Sequence, residues 1–151
     1  MDALHTILVE LHSINRWLIL FLGIYVLFIA GRGWFNGRAW RERAGQLGRY
    51  FLILLDIQLL LGLVLYGIFF SRQGGFGHVS GNPASRFFLM EHSVMMALAI
   101  LLAHAGAYFV KKAAPEGKYK RMFLFYGVAF LLMLASIPWP VMPGYGRPWL
   151  F

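Results

Sequence analysis

The sequence predicts an all-α integral membrane protein: an antiparallel four-helix transmembrane bundle with both termini on the outer, periplasmic side. Three observations lead there. Of the 151 residues, 60% are hydrophobic and 13% charged, with a mean hydropathy of +0.64, whereas a soluble domain carries about twice that charged share. The apolar residues gather into four runs, each close to the ~20 residues that cross a hydrocarbon core as helix. Ten of the 14 Lys and Arg residues lie in two short segments between those runs, the positive-inside pattern of a membrane protein. That clustering also explains the net charge of +8 without nucleic acid, since no groove-reading or base-stacking motif accompanies it.

The first span is expected over residues 10–31, its apolar run ending at Arg32 with Trp34 and Trp40 just beyond, where interfacial aromatics belong. Loop one, residues 32–49, holds five Arg. The second span, 50–70, places Asp56 about two turns inside its first end. Gln58, Gly62 and Tyr66 follow at a spacing of four, so they share one stripe, and Gly62 leaves room for a close neighbour. The loop SRQGGFGHVSGNPAS is nearly uncharged and rich in Gly, Ser and Asn, the composition of an extramembrane turn. The third span, 86–110, is followed by KKAAPEGKYKR with five Lys and Arg. The fourth, 122–138, is stopped by the prolines of SIPWPVMPGYGRPWLF. The tail, 139–151, is too short for a domain and is expected along the membrane surface or on a partner. The whole chain, 1–151, reads as one domain.

Both basic loops belong on the cytoplasmic side of the membrane, which puts the termini and the Gly-rich loop outside. The acidic start and the lack of a small-residue cleavage site predict that the first span is retained rather than cleaved as a signal peptide. The chain has no cysteine, which excludes disulfides, thiolate metal sites, iron–sulfur clusters and covalent haem attachment.

RFFLMEHSVMMALAILLAHAG carries Glu91, His92 and His104 inside a membrane-length apolar run. Ionisable groups there are costly and usually mark a working site. Counted from the outer boundary, His12, Arg16, Tyr66, Arg86, Glu91 and His92 fall at similar depth and form an outer cluster. Asp56 and His104 lie seven residues from Arg49 and Lys111 respectively, which makes them an inner pair, expected as a buried hydrogen bond. His92 and His104 stand about 18 Å apart along the axis, so the two clusters are separate. In a bundle of this topology spans one and three are diagonal, which lets His12 and His92 face each other as axial ligands of a haem b iron. Arg16 and Arg86 would neutralise the propionates, Tyr66 and Glu91 would line the site or serve a quinol, and Glu91 has a further expected role as ion-pair partner of Arg16 or Arg86. The plainer expectation is that these polar residues bond helix to helix. Met90, Met95 and Met96 read as packing, and His5 and His78 lie in exposed segments. A di-iron site lacks its paired Glu-x-x-His motif.

Taken together, LHSINRW, DIQLLLGLVLY, RFFLMEHSVMMALAILLAHAG and SIPW resemble a group of small four-span bacterial membrane proteins described as "cytochrome b"-like. The resemblance covers all four spans. It implies a haem-b or respiratory-membrane role, with His12 and His92 at the LHS and EH motifs. Some members of that group have His where this chain has Asp56, so a second haem at His104 is not implied. The expected function is therefore electron transfer by a small b-type haem protein or subunit, with quinone as a possible second ligand and no catalytic nucleophile. Two other classes stand beside it: a cofactor-free accessory subunit of a respiratory or photosynthetic membrane complex, and a haem-free quinone- or proton-handling protein using Glu91 and Asp56. The expected partners are the lipid bilayer and either other membrane subunits or further copies of the chain.

Overall fold

The computed structural model describes residues 3–149, the side chain of His78 excepted, and contains helices and no strand among them. Four helices are long and apolar enough to cross a membrane: α1 (Ala3–Phe35), α2 (Glu42–Arg72), α3 (Pro83–Lys112) and α4 (Pro115–Ser136). Three of them run well beyond the expected spans into the basic segments. Those segments are rich in Arg, Lys, Ala, Glu and Gln, which favour helix once a span has nucleated it. Loop one shrinks to residues 36–41, turned at Gly37 with φ 57°, a left-handed conformation that glycine adopts without steric cost. The Lys-rich segment is interrupted only around Ala113 and Ala114, both extended, before Pro115 opens α4. A residue before proline avoids helical geometry, and proline suits the first helical position.

The Gly-rich connection forms a short 3-10 turn, Gly75–His78. Asn82 then caps α3, its side-chain oxygen accepting from the amides of Ala84 and Ser85 at 2.9 and 3.1 Å. α3 is not uniform. Its turn Phe87–Glu91 is π-helical, directly before His92. Such turns carry one extra residue and recur at functional positions.

α1 packs along α2 and α4, and α4 along α3, while α2 and α3 are the least closely packed of the adjacent helices. The interior is built from Val26, Phe51, Leu55, Met122 and Met133, all almost wholly enclosed. Gly106 brings α3 against α4: a Cβ there would lie 2.5 Å from Cβ of Phe125. The polypeptide after Ser136 turns back over the end of the helices that holds His12 and His92. Trp149 packs against Trp17 and Trp139, and Tyr145 stacks on Phe87 with ring centres 4.1 Å apart. The described part of the tail thus docks on its own chain; Leu150 and Phe151 lie outside the described residues.

Candidate functional site

α1 and α3 bring His12 and His92 together, their ring centres 6.4 Å apart and their planes at 62°. His92 is held from α4: its Nδ1 lies 2.8 Å from the carbonyl oxygen of Ser136, which fixes the proton on that nitrogen and leaves Nε2 as the lone-pair nitrogen. Ser136 is available because it ends α4, where carbonyls lose their helical partners. Phe87 and Phe88 flank the His92 ring at 5.8 and 6.2 Å. His12 is held less tightly. Its Nδ1 is buried without a hydrogen-bond partner. On the α2 side its ring runs past Gly62, where an added Cβ would sit 3.4 Å from Cε1.

The backbone beneath His12 is fixed by two residues of one polar chain. Asn15 donates through Nδ2 to Oε1 of Gln58 at 2.7 Å and to the Leu54 carbonyl at 2.9 Å. Gln58 in turn donates to the carbonyl oxygen of His12 at 3.0 Å. Asn15 and Gln58 are both buried, so α1 and α2 are bonded at the level of the histidine pair. Gln58 lies on the stripe expected from its spacing, whereas Asn15 sits in the polar stretch HSINR, where its place three residues after His12 on one helical face is the signal in the sequence.

Arg16 donates from its guanidinium to Oγ of Ser13 at 3.0 Å and to the carbonyl oxygen of Trp149 at 2.7 Å, and Trp17 donates to the same oxygen at 2.9 Å. Nε of Arg16 is buried and unpaired. The other expected cation is differently placed: Arg86 donates to Glu91 at 2.9 Å, both side chains being substantially exposed. Glu91 and Arg86 therefore satisfy one another rather than joining the histidines. Tyr66 stacks along α2 on Phe70, ring centres 6.1 Å apart.

His104 and Asp56 do meet, Nε2 to Oδ1 at 2.8 Å, yet their side chains are 45% and 51% exposed. The expectation of a buried pair is corrected here. Leu55 and Ala103, the residues just before them, are fully enclosed, and with about 100° of rotation per residue the next positions turn out of the core. Met90 is exposed, whereas Met96 packs on the core. Among the described residues no group of three or more His, Asp or Glu converges as a metal site, so the histidine pair would need ligands from a cofactor to hold a metal. The His78 side chain lies outside the described residues.

Four membrane-length helices define the class: a multi-pass membrane protein in contact with lipid. No protein-family model, curated protein or solved structure matches this chain.

Proposed function

We propose that this chain is a small b-type haem protein of the bacterial cytoplasmic membrane that transfers electrons near the outer face, alone or as a subunit of a respiratory complex. The reading takes the helices as an antiparallel four-helix transmembrane bundle with both termini outside. Contacts along the helices support it. Asn15 meets Gln58 whereas Gly23 meets Phe51, and Gly23 faces Phe130 whereas Gly33 faces Tyr119: as numbering rises along α1 it falls along α2 and α4.

The observation that carries the haem reading is the facing histidine pair. A metal ion held between two imidazole nitrogens at about 2 Å from each would leave the ring centres about 6 Å apart, a spacing that the 6.4 Å here allows. Metal-bound histidines also commonly donate their other nitrogen to a carbonyl, as His92 does to Ser136. The orphaned Nδ1 of His12 is a buried polar atom that a bound group would satisfy, and Gly62 puts no side chain between α2 and the His12 ring. A bound haem b supplies a one-electron iron couple. The chain's own residues would do the rest. His12 and His92 would hold the iron through ring nitrogens, and Ser136 would keep His92 in one tautomer. Arg16, with its unpaired Nε, is the cation best placed for a propionate, whereas Arg86 would first have to leave Glu91. Phe87, Phe88 and the folded-back tail exclude water. Tyr66 and Glu91 stay assigned to a quinol, should one approach from the outer side.

The test is a dithionite-reduced minus air-oxidised visible spectrum of the detergent-purified protein beside His12→Ala and His92→Ala. A b-type band in the wild type, lost in either variant that still elutes as folded protein, is the expected result. Protein made with ample haem and showing no band would overturn it. The accessory-subunit reading would then lead, because the Asn15–Gln58–His12 hydrogen bonds are interhelical links that need no cofactor. A haem-free quinone or proton carrier would be recognised by activity that fails on neutralising Glu91 or Asp56.

A further inference from the structure

The second polar pair lies where a membrane protein rarely puts one. Asp56 and His104 each stand seven residues from the nearest flanking cation, Arg49 on α2 and Lys111 on α3, hence about 10 Å inside the basic edge. Around them on the same outward surface are Ile53, Leu60, Leu101 and Tyr108, all exposed. Apolar side chains facing lipid need no explanation. A carboxylate and an imidazole do, since ionisable groups in spans normally face protein or a water-filled cavity. Nor can this pair simply turn inward. Leu55 and Ala103 are fully enclosed beside it, so rotating either helix would pull core residues into lipid.

We propose that the α2–α3 face carrying Asp56 and His104 is the contact surface between two copies of this chain related by a two-fold axis. Complementarity selects that occupant. The 2.8 Å contact engages Nε2 of His104 and Oδ1 of Asp56 and leaves Nδ1 and Oδ2 outside it. A two-fold copy presents the same imidazole and carboxylate in reversed order, so each His104 would lie opposite the other copy's Asp56, and with a proton on Nδ1 the four groups would close a ring of donors and acceptors. A partner of unrelated sequence would need a matched donor and acceptor at this depth; a second copy supplies both automatically. The inference rests on the membrane-spanning reading alone and is independent of haem.

The chain has no cysteine, so single-cysteine cross-linking in native membranes is clean. Leu101→Cys, one turn from His104, is compared with Leu131→Cys on α4; the two leucines are 66% and 65% exposed. Under copper–phenanthroline oxidation, Leu101→Cys is expected to give several-fold more disulfide dimer than Leu131→Cys. Adding Asp56→Leu and His104→Leu should bring it down to the Leu131→Cys level, in a protein that still inserts. Equal cross-linking of the two faces would overturn the proposal, as would a dimer that survives the double leucine change. A monomeric mass in lipid nanodiscs, with or without bound quinone, would overturn it too.

Discussion

His12 and His92 illustrate how differently two like residues can be held. His92 is anchored through Nδ1 to Ser136; His12 is positioned mainly by its backbone, through Gln58 and Asn15. Asn15→Ala would leave the Gln58 and Leu54 acceptors without their donor. Such interhelical bonds in membranes are worth about 0.6 kcal/mol on average and up to about 1.7, and the loss should fall in that range by reversible unfolding in mixed micelles. The paired change Asn15→Leu with Gln58→Leu should cost less than the sum of the single changes, because no buried polar group is stranded. Space beside His12 is tested at Gly62. Alanine there meets His12 at ordinary contact distance and should keep the b-type band; leucine should displace the imidazole and abolish it. A leucine variant with an unchanged spectrum would remove His12 from the ligand set.

At the scale of the helix, the π turn Phe87–Glu91 adds one residue to α3. Deleting the exposed Met90 would remove the extra residue and restore ordinary α geometry, with Phe87 kept at nearly the same rotation relative to His92, because the wider turn covers in about five residues what α-helix covers in about four. The stack of Phe87 on Tyr145 and the His92–Ser136 bond should then both persist. The expected readout is proteolysis of the tail between Pro138 and Arg147 no faster than in the parent protein; faster cleavage there would show that the turn itself holds the tail. The meeting of α3 and α4 is tested at Gly106. Its added Cβ would crowd Phe125 at the root of the side chain, where a rotamer change gives no relief. Gly106→Ala should therefore destabilise by about 1–3 kcal/mol, the usual cost of overpacking.

For the molecule as a whole, the charge distribution makes a topological prediction. The basic connections at residues 36–41 and around Ala113 should be cytoplasmic, and the carboxyl end outside. An alkaline phosphatase fusion after the last residue should be active and a fluorescent-protein fusion there dark; the reverse would invert the assignment of outer and inner layers. That result would exchange the faces on which the two polar pairs operate, without changing the pairs themselves.

The number of helices, their membrane length and the polar residues inside them were legible in the sequence because hydropathy is carried locally, residue by residue. The similar axial level of His12 and His92 followed from the same counting, since axial rise per residue is fixed. Their actual approach, and the outward turn of Asp56 and His104, were decided by tertiary structure. Rotation of a helix about its own axis is set by its neighbours. In a membrane protein the lipid face and the core face are both apolar, so the sequence marks that rotation only weakly. The Phe87–Glu91 turn within α3 and the tail folding onto Arg16, Trp17 and Phe87 likewise depend on contacts between residues far apart in the chain. Hydropathy fixed how deep each polar group lies; packing decided which one it meets.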